Sequence, residues 1–171
     1  KNKKIKSILA LLLALSFHKS AVILLPFFVL MQIDLSKGFE IIAMGLSLLI
    51  SVFSKQVLMI VGKILGSIGM GTMSVKIMNY TFEGRFAKEM SFVDPRILFA
   101  LFLFFTSLIY FNKKQIKKMS IEDISIKAIW FCAIVLLVFR SSTAIAFRFS
   151  NFFGIFQLLY IPILVNKLRK E

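Results

Sequence analysis

The 171-residue chain draws 58% of its residues from the apolar set, with 20 phenylalanines, and its mean hydropathy of +0.87 lies far above that of a soluble domain of this size. Its formal net charge is +14, yet the basic residues flank apolar runs and form no stripe on a polar domain, which argues against nucleic-acid binding. The single cysteine, Cys132, excludes an internal disulfide and sits in an apolar run, where a thiol behaves as a small hydrophobe.

Residues 1–6 (Lys-Asn-Lys-Lys-Ile-Lys) read like a cytoplasmic loop that feeds a membrane helix. A signal peptide starts the same way, but no small-residue cleavage site follows, and His18 and Lys19 interrupt the apolar stretch. The chain therefore reads as the C-terminal part of a longer protein. Residues 8–17 and 21–31 are two apolar pieces split by His18, Lys19 and Ser20, with Pro26 in the second. They form either one helix of about 36 Å at 1.5 Å per residue or a helical hairpin.

Residues 41–54, preceded by Glu40, are the next span. In residues 57–68, Val57, Leu58, Ile60, Val61, Ile64, Leu65 and Ile68 share one helical face opposite Gln56, Lys63, Gly66 and Ser67. That amphipathic pattern favours a helix lying in the interface over one that crosses. Residues 76–96 are polar and expected to form a loop, with Pro95 opening the next helix. Residues 97–111 are the clearest span, and Lys113, Lys114, Lys117 and Lys118 behind it mark that side as cytoplasmic. By parity, residues 124–139 run outward, 140–150 form an outer loop, and 149–165 return to Lys167, Arg169 and Lys170 inside. The expected fold is all-α: one polytopic membrane domain over residues 1–171, with about five to six membrane-embedded helices and an interfacial amphipathic helix.

Three features exceed what anchoring requires. His18 and Lys19 are two consecutive polar side chains in an apolar stretch, costly unless they face a cavity; the plainer reading is a snorkelling lysine beside a hydrogen-bonded histidine. Arg140 and Arg148, with Asn151 and Gln157, line the outer mouth of the last two helices. A guanidinium matches phosphate with a rigid donor fork, and although snorkelling explains one arginine at a helix end, two outer cations run against the positive-inside bias. In the outer loop, Arg85 and Arg96 could hold an acidic lipid head group while Glu83, Glu89 or Asp94 serves as base, although most charges in such a loop are simply solvated. The chain has no phosphate-binding glycine loop, His/Cys metal cluster or nucleophile elbow. No cofactor, metal or ATP is expected.

The run from Ala10 through Phe17-His18-Lys19-Ser20-Ala21 to Pro26 resembles the Ala-rich stretch ending in Phe-His-x-Ser-Ala of EpsG-type and Wzy-type polysaccharide polymerases. The run Ala144-Ile-Ala-Phe-Arg148-Phe-Ser-Asn-Phe-Phe153, with Pro162 beyond it, is similar to that family's closing Arg-x-x-x-Tyr/Phe-Phe block, and Lys76-Ile-Met-Asn-Tyr80 looks like its basic-to-tyrosine stretch. One position departs: Phe147 stands before the arginine where an acid is expected.

The resemblance implies a glycosyltransferase of the bacterial inner membrane, with a cytoplasmic C-terminus, that joins undecaprenyl-pyrophosphate-linked repeat units into O-antigen, capsule or exopolysaccharide on the outer leaflet. Its partners would be that lipid-linked glycan, membrane lipids, a chain-length regulator and a flippase. Arg148 and Arg140 would bind pyrophosphate, His18 would orient or deprotonate the acceptor hydroxyl, and Tyr80, Arg85, Arg96 and Asn151 would contact sugar or phosphate. Three rivals stay open: a lipid-linked oligosaccharide flippase, whose internal repeats are not seen; a membrane O-acyltransferase with His18 as base; and a non-enzymatic assembly subunit. A cysteine introduced beside residue 148 should react with a membrane-impermeant maleimide added outside the cell, and labelling from the interior alone would reverse the topology.

Overall fold

Capping signals in the sequence open the helices. Ser36 accepts from the Phe39 amide at 3.2 Å, Asp94 accepts from the Arg96 amide at 3.0 Å with Pro95 as first helical residue, and Ser120 accepts from the Asp123 amide at 3.2 Å. Each side-chain oxygen satisfies an amide that the first turn leaves without a partner. The computed structural model describes residues 24–83 and 87–169, together with 9–10, 12–14, 16–17 and 21. In chain order its main helices are α1 (Leu24–Met31), α2 (Lys37–Val52), α3 (Ser54–Ser67), α4 (Gly71–Phe82), α5 (Pro95–Tyr110), α6 (Ile121–Val138) and α7 (Thr143–Leu168). No strand occurs among the described residues, so the all-α class holds.

Helix α6 is the axis, packed on α1, α2, α5 and α7. Its Ile126, Ala128, Ile129, Trp130, Cys132, Ala133, Val135, Leu136 and Leu137 are all buried, as expected of a helix that is apolar all round. From α1, Phe27 enters a ring cluster with Phe131, Phe153 and Phe156 at centroid distances of 5.9, 5.0 and 5.8 Å. Short connections fold α5, α6 and α7 back on one another. One end of the bundle therefore carries Asp34, Lys37, Lys113 and Lys118, and the other carries Arg96, Arg140 and Arg148.

Polarity inside and outside the bundle is inverted relative to a soluble domain. Glu40, Ser47, Ser51, Thr106, Ser107, Ser125 and Lys127 are buried, while Ile41, Ile42, Leu46, Leu49, Phe102, Phe105, Ile109 and Leu158 are exposed. Several of the buried polar groups have partners close by, although the Ser125 hydroxyl has none among the described residues. Tyr160 and Thr106 hydroxyls lie 3.1 Å apart, Lys127 pairs with Asp123 at 2.9 Å, and Glu40, 0% exposed, pairs with Lys113. Among the described residues, helix α7 alone is long and apolar enough to cross a bilayer; α2 with α3 passes as a pair, bent by 85° at Phe53. Helix α5 is apolar but shorter, and α6 carries Glu122, Asp123 and Lys127 near its start.

Two boundaries differ from expectation. Residues 76–82 belong to α4, so the segment expected as a loop from residue 76 is non-helical only beyond Phe82. Helix α7 begins at Thr143, leaving only residues 139–142 between α6 and α7 where a loop to residue 150 was expected. The amphipathic helix forms as α3, but it meets α4 through its small residues. A Cβ on Gly62 would lie 3.3 Å from Met78 Sδ, and one on Gly66 would lie 3.4 Å from Ser74 Oγ. Ile60, Val61, Ile64 and Ile68 of its apolar stripe stay exposed.

Because the nearest atom to Gly62 is the end of a flexible methionine, Gly62→Ala should cost less than about 1 kcal/mol, whereas Gly62→Leu should separate α3 from α4 at a cost of about 1–3 kcal/mol. Thermal unfolding of the two variants in detergent, with a cross-link between cysteines at 66 and 74 as reporter of hairpin closure, measures the difference.

Candidate functional site

The turn between α6 and α7 binds every neighbouring segment at the arginine end. Arg140 donates from Nε to the Ser51 carbonyl at 3.0 Å and from Nη1 to the Met90 carbonyl at 2.9 Å. It also pairs with Glu89 at 2.8 Å and stacks 3.9 Å above the Phe92 ring. Ser141 donates its amide to Ser54 Oγ at 3.1 Å, and Ser142 donates its hydroxyl to the Tyr80 carbonyl at 2.9 Å. The Thr143 amide donates to the Lys88 carbonyl at 2.9 Å, and the Met90 amide to the Arg140 carbonyl at 2.8 Å. Ser51 lies in the last turn of α2, where carbonyls lack helical partners and a cation meets the negative end of the helix dipole. The Arg140 side chain is only 12% exposed.

Beside this turn, α5, α6 and α7 enclose a cleft of about 350 Å³ lined by Arg96, Phe99, Cys132, Phe147, Asn151 and Gln157 among others. Arg96 lies 3.8 Å above the face of Phe147, and Arg148, next along α7, lies 4.8 Å from the Tyr80 ring centre. These stacks orient both guanidinium groups; Arg96 also pairs through Nε with Asp94 at 3.8 Å, while Arg148 has no ion pair with a described residue. Both residues also sit near helix N-termini, Arg96 in the first turn of α5 and Arg148 in the second turn of α7. Neither helix has an acid in its first turn. A cation in the first turn opposes the helix dipole at a cost of roughly 0.3–1 kcal/mol, so helix stability does not by itself account for Arg96. The arrangement is suited to a bound anion.

Of the residues singled out in the sequence, Arg96, Arg148, Tyr80 and Asn151 gather around Phe147 and the first turns of α7. Arg140 is adjacent but largely used within the fold. His18 and Arg85 lie outside the described residues. In the sequence, Gly154 reads as a small residue leaving a lateral path for a polyprenyl tail and Cys132 as a small hydrophobe, and Phe99 is not singled out; all three complete the cleft. The spacing 147, 151, 154 and 157 is one helical face of α7, whereas Phe99 and Cys132 come from α5 and α6, and no spacing along α7 points to them.

A family model, the EpsG family, matches residues 1–171. The chain belongs to the EpsG family. No curated protein and no solved structure matches it. Membership places it among membrane proteins of polysaccharide biosynthesis with polymerase-like function. The EpsG-type block from Arg148 to Phe153 is one stretch of α7 with two faces. Phe153 is 0% exposed in the ring cluster, while Arg148 and Asn151 are on the outer surface beside the cleft.

Arg140 and Arg148 should respond differently to a change that keeps the charge. A lysine at 140 cannot reproduce the fork to Ser51 and Met90, and leaving those carbonyls unsatisfied should lower stability by about 1–3 kcal/mol. Arg148→Lys should leave the unfolding temperature of the purified EpsG-family protein within about a degree or two, since surface changes are usually within about 0.5 kcal/mol.

Proposed function

We propose that this chain is the polymerising part of an inner-membrane glycosyltransferase that transfers a growing glycan from undecaprenyl pyrophosphate to the next lipid-linked repeat unit on the outer leaflet. The observation that carries this reading is the pair of ring-stacked guanidiniums on the arginine end, Arg96 on Phe147 in the cleft and Arg148 on Tyr80 at the next position of α7. Apolar exposed faces on α2, α3, α5 and α7 support a bundle solvated by lipid, with α1, α5 and α6 also embedded and the C-terminus, behind Lys167 and Arg169, in the cytoplasm. The 85° bend after α2 favours an interfacial position for α3.

In the reaction, the anomeric carbon–oxygen bond to pyrophosphate breaks as an acceptor hydroxyl forms the new glycosidic bond. Pyrophosphate departs with the bonding electrons, and the hydroxyl proton passes to a base. Arg148 and Arg96 stabilise the charge that develops on the leaving group, an electrostatic effect that is strongest where water is scarce. Arg140 holds the turn that positions them and can reach phosphate. Tyr80 orients Arg148 and contacts sugar or phosphate, as does Asn151. His18 is the proposed base for the acceptor hydroxyl, and Arg85 a further phosphate contact, both on the strength of the family pattern. A chain-length regulator and a flippase are the proposed protein partners, and the product is an exopolysaccharide, capsule or O-antigen.

Arg148→Ala or Arg148→Lys in the full-length protein should abolish long chains while single repeat units persist on their lipid. Gel profiles of surface glycan from a stably expressed variant test this, and a wild-type chain-length distribution would remove Arg148 from the mechanism.

A further inference from the structure

The cleft is more polar at depth than a groove for a hydrocarbon tail should be. Its lining along α7 runs from Phe147 to Gln157, about 15 Å of helix at 1.5 Å per residue, and so extends from the arginine end toward the middle of the longest helix. Along it the chain places Ser150, Asn151 and Gln157, faced by Arg96 from α5 and the Cys132 thiol from α6. The Gln157 amide has only a 3.9 Å contact with the Cys132 sulfur, and the Asn151 amide has no hydrogen bond to the described residues. Asn151 is exposed toward the arginine end, but Gln157 is partly buried midway along α7, where an amide left this way against hydrocarbon is costly. An isoprenoid chain would leave Gln157 without a partner, whereas a ring bearing hydroxyls would satisfy it and reach Asn151.

The rest of the lining fits such a ring. Phe99 and Phe147 offer aromatic surfaces to its C–H faces, and the amides and Arg96 offer donors and acceptors to its edge, the mixture of apolar walls and few convergent polar groups found in small-molecule sites. Gly154 leaves the wall open, since a Cβ built there meets nothing within 4 Å. We infer that this cleft is a sugar subsite, in which Gln157 and Asn151 select a hydroxylated ring and Gly154 provides the room for it. The inference rests on the polymerase reading, because the occupant is taken as a sugar residue of the lipid-linked glycan. Gln157 and Gly154 then act as specificity-determining positions, separate from the cations that hold phosphate.

Gly154 also supplies the test, since a side chain there enters open space and should block the cleft without disturbing packing. The full-length protein in nanodiscs would be examined by saturation-transfer NMR with methyl β-glucoside, methyl β-galactoside and methyl β-N-acetylglucosaminide, and separately with geranylgeraniol. At least one glycoside should give a saturable signal that Gly154→Leu abolishes and Gln157→Leu weakens about tenfold, the value of one lost amide hydrogen-bond pair. Gly45→Leu, which adds the same side chain in open space on the exposed side of α2, should leave it unchanged. No glycoside signal, or one that Gly154→Leu leaves intact, overturns the inference. A geranylgeraniol signal lost in Gly154→Leu overturns it in favour of a tail groove. In cells, loss of long chains in Arg148→Ala together with normal chains in Gly154→Leu would sink the subsite alone, whereas normal chains in Arg148→Ala would sink the polymerase reading.

Discussion

The Arg140 guanidinium is the constraint on which the arginine end of the molecule depends. It closes the exposed carbonyl end of α2 through Ser51, holds the segment before α5 through Met90 and Glu89, and covers Phe92. Ser141, Ser142 and Thr143 extend the same turn to α3, α4 and Lys88. Water and side chains can share such work in a soluble protein. Next to hydrocarbon each backbone group must find a protein partner, so four consecutive residues bind the ends of several elements. Tyr80 and Phe147 are then fixed, and with them the orientations of Arg148 and Arg96.

Apolar side chains cover the outside of the bundle as well as its core around α6. Lipid tails offer Ile41, Leu46, Phe102 or Leu158 as good an environment as a protein interior, so burying them contributes little to association. Specific ties and close approach take over. Examples are the Thr106–Tyr160 hydroxyl pair, the Trp130 indole donating to the Glu40 carbonyl at 3.1 Å, and the Gly62–Met78 and Gly66–Ser74 contacts between α3 and α4.

Much of this was legible in the sequence where the signal is local. The apolar run at residues 97–111 carried its own start signal in Pro95 and forms the helix α5, and the run at 124–139 was long and apolar enough to mark α6. Local signals failed where tertiary contacts decide. Phe147-Arg148 looked like a break because a cation interrupts an apolar run, yet Arg148 lies on the surface of α7 against Tyr80 and the helix continues beneath it. Lys76 and Asn79 made α4 look like loop, although pairing with the glycines of α3 is what supports it as a helix. No spacing rule connects Glu40 with Lys113, and nothing near Arg140 in the chain distinguishes its structural bonds from the exposed stack of Arg148. Both arginines read alike until the distant carbonyls are in view.

Their contrast also separates the two ends by the work each can do. At the lysine end, cations meet carboxylates within the chain: Lys113 with Glu40, Lys127 with Asp123 and Lys118 with Asp34. Charges neutralised in this way fasten α2 to the start of α6 and offer little to a ligand. At the other end, Arg140 pairs with Glu89 at 2.8 Å and Arg96 with Asp94 at 3.8 Å, whereas Arg148 rests on the Tyr80 ring with no ion pair to a described residue. A ring face orients a guanidinium without cancelling its charge. A cation kept in that condition holds the fold in a state that an incoming anion stabilises. An anionic leaving group that gains charge as its bond breaks would be stabilised more in the transition state than before it, which is the requirement for accelerating the transfer and not merely binding the substrate.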